Sequence, residues 1–141
     1  MEDEIDRSTP MRLRRSIPHY HGDAVRSLMV SAAVVMLVAE TFWRALPLAV
    51  PVTIALVIVF AVAAGLTNPN AVWIHYLNVL LAAGSTFLFG NAALTEGFAL
   101  HDPGALTNEI LALIGILTLY FATKTLRGVR LFHVRTHPPA E

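Results

Sequence analysis

Four long stretches of this chain carry almost no charge, and that feature limits what it can fold into. They cover about residues 24–42, 48–66, 71–93 and 103–124. The first holds Arg26 and Glu40 near its ends and the second no charged residue at all. The third holds no Asp, Glu, Lys or Arg, and the fourth has Glu109 and the terminal Lys124. A helix needs about 20 mostly apolar residues to cross the hydrocarbon core of a bilayer, against about 9–11 for a barrel strand. Without water each backbone amide must pair inside its own segment, which a helix achieves. The expected fold is therefore all-α, an integral membrane four-helix bundle. A soluble bundle would need a polar face on each helix, yet residues 52–66 offer only Thr53 and residues 110–123 only Thr118, Tyr120 and Thr123.

Composition agrees. Hydrophobic residues make up 55% and charged residues 14% of the 141, where an ordinary soluble domain carries about 25% charged. Cysteine is absent, which excludes disulfides, thiolate metal sites and cysteine nucleophiles. A polar leader precedes the first apolar run and three more spans follow it, a pattern of uncleaved insertion rather than secretion. Residues 1–22 read as a cytoplasmic tail, partly disordered, residues 23–124 as the bundle, and residues 125–141 as a basic cytoplasmic tail. Asp23 and Asp102 stand where helix N-caps belong. Pro47 and Pro51 mark the start of the second span, and Thr67-Asn68-Pro69-Asn70 a compact turn.

Orientation follows the bias of Lys and Arg in short loops and tails. The leading tail offers Arg7, Arg12, Arg14 and Arg15, and the trailing one Lys124, Arg127, Arg130 and Arg135. The first connection has only Arg44, and the third carries Glu96 and Asp102 without a basic residue. Both termini are expected in the cytoplasm, and short connections favour up-down-up-down neighbours. Trp43 and Trp73 fall near span ends, at the depth indole rings favour. Small residues mark candidate close approaches: Ser27 with Ser31, Ala61 with Gly65, the block Ala82-Ala83-Gly84-Ser85, and Ala112 with Gly115.

Ionisable side chains inside a span are the first functional candidates. Glu40 and Glu109, with Arg44, Asn91 and Asn108 at similar depth, form an expected polar cluster in the outer part of the bilayer. Its structural reading pairs Glu40 with Arg44 one turn later and gives Glu109 a hydrogen bond from Asn91 or a hydroxyl. Its functional reading makes a glutamate a proton or cation carrier. Arg12, Arg14, Arg15, Lys124, Arg127 and Arg130 suit anionic-lipid contact. His19, His21, His133 and His137 have usable metal-ligand spacings, but without a supporting motif no metal or other cofactor is expected. No phosphate-binding glycine loop, nucleophile triad or nucleic-acid motif appears.

Four spans with a glutamate in the first, at Ala39-Glu40, resemble the small multidrug-resistance exporters. In those exporters the glutamate lies mid-membrane, whereas Glu40 stands one turn from the span's end, and the long tails depart from their compact pattern. The residues point first to an accessory or scaffold subunit whose partners are the lipid bilayer and another membrane protein or a second copy of itself. The alternative is a small oligomeric transporter or channel that uses an intramembrane glutamate. Neither reading is enzymatic. The expected location is a prokaryotic plasma membrane.

Overall fold

The computed structural model describes residues 21–44, 46–68, 71–97 and 101–136, the last five by their helical backbone alone. They form four helices: α1 (Gly22–Phe42), α2 (Val50–Leu66), α3 (Val72–Glu96) and α4 (Pro103–Thr136). Three of them, α1, α3 and α4, are long and apolar enough to cross a membrane. The shorter α2 has 17 residues, a rise of about 25 Å against a hydrocarbon core of about 30 Å. The all-helical architecture is as expected and is consistent with a membrane protein.

Local chemistry sets the boundaries. Pro51 sits in the first turn of α2, where its missing N–H removes nothing. Asp102 caps α4, its Oδ2 accepting from the Ala105 amide at 2.9 Å. Asp23 does not cap α1; it lies in the first turn, and the cap position is His21, which makes no side-chain cap bond. Two helices outrun the expected spans. α3 continues to Glu96, and α4 passes Lys124 without a break as far as Thr136.

α4 packs most extensively on α3, α1 lies against both α2 and α4, and α2 and α3 barely meet. The buried core is rich in alanine (Ala32, Ala33, Ala63, Ala64, Ala82, Ala122), with Met29, Met36, Phe60 and Phe89 filling between. Large apolar side chains instead line the outside, among them Val34, Leu37, Ile58, Leu80, Phe87 and Leu113. Small residues inside bring helix axes close, so packing rather than expulsion of bulky side chains from water holds the elements together.

A close approach lies at Gly115 on α4. A Cβ added there would lie 2.6 Å from Thr86 Oγ1 and 3.1 Å from both Ser85 Oγ and the Thr86 amide nitrogen. Ser85 and Thr86 turn their hydroxyls back to the Ala82 carbonyl, at 3.0 and 2.7 Å, which leaves a flat seat for the glycine. Other small residues face outward: Ser27, Ser31, Ala61, Gly65 and Gly84 are all exposed. A Cβ added at Gly65 or Gly84 would meet nothing within 4 Å. Gly115→Ala should therefore destabilise the bundle by about 1–3 kcal/mol through overpacking. Gly84→Ala should be neutral or slightly stabilising, since it adds helix propensity in open space. Unfolding of the detergent-solubilised chain by denaturing surfactant, followed by circular dichroism, distinguishes the two.

Candidate functional site

Polar side chains gather near the start of α1 and near its end. At the start, Arg26 lies one turn into α1. Its Nε donates to the Ala64 carbonyl at 3.0 Å and its Nη2 to the Thr67 carbonyl at 3.5 Å. The last carbonyls of a helix lack intrahelical partners and form its negative end, so a guanidinium there both caps and neutralises. Thr67 Oγ1 donates to the Ala63 carbonyl at 2.9 Å and accepts from Asn78 Nδ2 at 3.1 Å. His75, buried one turn before Asn78, bonds with the backbone of Asn68. This network joins α1, α2 and α3 where α2 and α3 otherwise hardly touch. The His21 amide donates to Thr125 Oγ1 at 3.1 Å, and its ring packs 5.5 Å from Phe121, which adds α4.

Near the end of α1 the expected cluster divides into two. Glu40 and Arg44 line one cavity of about 240 Å³ with Thr53 of α2. Glu40 Oε2 and Thr53 Oγ1 are both buried without a hydrogen-bond partner. Arg44 is exposed, and its φ of 46° places it in the left-handed region as the chain reverses after α1. The second group lies between α3 and α4. Asn108, 0% exposed, donates through Nδ2 to Glu96 Oε2 at 2.8 Å. Arg44, Glu96 and Asp102 line a further cavity of about 450 Å³ that also includes Trp43, so Arg44 borders both groups.

Glu109 stands apart from both cavities. It is half-buried, and its Oε1 has no hydrogen-bond partner. Asn91, expected beside it, is exposed on α3 instead. The partner that sequence reasoning misses is Glu96, which belongs to the last turn of α3 rather than to the connection after it.

The basic candidates on α4 share one face. Tyr120, Lys124, Arg127 and Arg130 line a cavity of about 750 Å³, and Lys124 Nζ lies 5.6 Å from the Tyr120 ring centroid. Arg12, Arg14, Arg15, His19 and His137 lie outside the described residues, and only the backbone of His133 falls within them. Among the described residues no three His, Asp or Glu side chains come together as a metal site. Comparison with protein-family models, with curated proteins and with solved structures gives no match.

The Glu96–Asn108 bond gives a direct check. Glu96→Ala leaves a fully buried carboxamide without its acceptor and should cost about 1–3 kcal/mol. Glu96→Gln keeps an acceptor and should cost less. Both are read as shifts in the unfolding midpoint of the solubilised chain.

Proposed function

We propose that this chain is a four-span membrane subunit with an accessory or scaffold role, holding another membrane protein against the outer face of α3. The observation that carries the role is Asn91. Exposed hydroxyls on the helices bond back to their own backbone: Ser31 to the Ser27 carbonyl at 2.9 Å, Thr41 to Leu37 at 2.7 Å and Thr123 to Leu119 at 2.7 Å. Lipid-facing polar groups need such internal partners. The Asn91 carboxamide makes no such bond, and it stands exposed among Phe87, Leu94 and the bare Gly84. A carboxamide on an apolar face beside a glycine is the kind of surface that draws in a second helix.

The topology proposed is up-down-up-down with both termini in the cytoplasm of a prokaryotic cell. Its antiparallel order is supported by the bonds of Arg26 with the last turn of α2 and of Asn108 with the last turn of α3. The basic side chains on α4 begin at Lys124, about 32 Å from the start of that helix, close to one hydrocarbon thickness. There they suit anionic headgroups.

A second reading keeps the glutamates in view. Glu109 holds a buried oxygen without a partner, as a carrier of protons or cations in a small oligomeric transporter would. Native mass spectrometry of the chain extracted gently from its own membrane separates the two. The accessory role predicts a stoichiometric foreign subunit whose association weakens about three- to tenfold on Asn91→Leu, as one interhelical hydrogen bond implies. A homo-oligomer with no foreign subunit contradicts it and favours transport.

A further inference from the structure

We propose that the basic face at the end of α4 binds a phospholipid carrying two linked phosphodiesters, in preference to anionic lipid in general. The proposal deepens the headgroup contact proposed above and rests on the membrane reading; it is independent of the accessory role. Its basis is three cations that one cavity brings together without a counter-charge. Lys124, Arg127 and Arg130 line that cavity with Tyr120, Leu126 and Leu131, and none of the described residues lining it is acidic. Between Glu109 and Glu141 the sequence has no Asp or Glu, so this part of α4 supplies no carboxylate of its own. Lys124 Nζ lies 5.6 Å from the Tyr120 ring centroid. Arg127 and Arg130 are exposed, so both guanidinium groups are open to a ligand from outside the bundle.

Spacing and depth define the ligand. The three cations follow one another at three-residue steps, each about 4.5 Å along the axis, and so extend over about 9 Å. A phosphate that meets Lys124 and Arg127 leaves Arg130 for a second one. Each guanidinium offers a fork that matches phosphate oxygens, and the ammonium acts as a point charge. A lipid with one phosphate leaves two of the three positive charges uncompensated, and a lipid with two leaves one. The cavity volume of about 750 Å³ is about 25 times the roughly 30 Å³ that a water occupies in the liquid. It has room for two phosphates and the glycerol that joins them. Tyr120, 57% exposed, lies one turn before Lys124, on the side of the hydrocarbon. Acyl chains attached to the phosphates pass its ring on their way into the bilayer, while Leu126 and Leu131 give apolar contact between the cations. Phosphates held at the end of a membrane span belong to lipid, since anionic headgroups concentrate at that depth.

The test uses the full chain in bilayer discs of choline phospholipid that also contain cardiolipin and phosphatidylglycerol, two of the latter for each cardiolipin so that their phosphate charge is equal. Lipids retained after gentle release are weighed by native mass spectrometry. Cardiolipin should be retained about fivefold over phosphatidylglycerol, the factor that one more cation contact is worth. Arg127→Gln and Arg130→Gln should each bring the two lipids close to parity at unchanged helicity. Arg44→Gln removes the same charge near the other end of α1 and should keep the preference. Parity in the unsubstituted chain overturns the proposal and leaves the membrane reading and a general headgroup contact intact. An equal loss in Arg44→Gln overturns it too, because the preference then follows net charge and not this face. Release of bound cardiolipin by stoichiometric inorganic diphosphate also overturns it and assigns the face to a free anion. A chain that remains dissolved without detergent or bilayer overturns the membrane reading and the lipid site with it.

Discussion

Close approach of helix backbones is the constraint from which the rest of this bundle follows. Most of its bulky apolar side chains face outward, and its core is rich in alanine. In lipid, apolar side chains gain little by leaving their surroundings for one another, so contact between backbones and a few hydrogen bonds must supply the cohesion. Gly115 meets that requirement between α3 and α4, where a methyl group would strike Thr86. Arg26 and Asn78 meet it around the end of α2, a helix that has little other contact with α3. Because the core is small, each polar side chain within reach of a neighbouring helix carries a large share of the organisation.

That division also explains where chemistry remains possible. Near the start of α1, Arg26, Thr67 and the Asn78 amide nitrogen find partners, while Asn78 Oδ1 is buried without one. More such oxygens lie near the end of α1. Glu40, Thr53, Asn108 and Glu109 each retain a buried oxygen without a partner, and Arg44 stands between two cavities. A buried polar atom without a partner is costly, and this end of the bundle carries more of that cost than the other.

Much of the fold is legible in the residues. Charge-free runs fix the helical class, Asp102 announces the start of α4, and Gly115 is among the marked close approaches. What sequence pattern does not supply is direction around the helix axis. Ser27 with Ser31 and Ala61 with Gly65 have the same spacing as residues that pack inward, yet they face out. Alanine-rich helices repeat small residues on every face, so spacing alone does not choose one. The candidate site is legible in composition but not in pairing. Ending the third span at Ala93 leaves Glu96 in a connection, three residues short of the helix's true end, and so deprives Asn108 of its partner. Nor does the basic run that begins at Lys124 end the fourth helix, which continues to Thr136.

If all four helices lie in the bilayer, α2 is the hardest to place because it is the shortest. The chain has no cysteine, so one introduced at Ile58 in the middle of α2 can carry a single nitroxide label. Power-saturation electron paramagnetic resonance of that label in liposomes compares collisions with oxygen, which concentrates in the bilayer centre, and with a water-soluble nickel chelate. Frequent oxygen and rare chelate collisions are the predicted result. Chelate access as high as at a label on His101, in the connection before α4, would show that α2 lies in water and would contradict the four-span account.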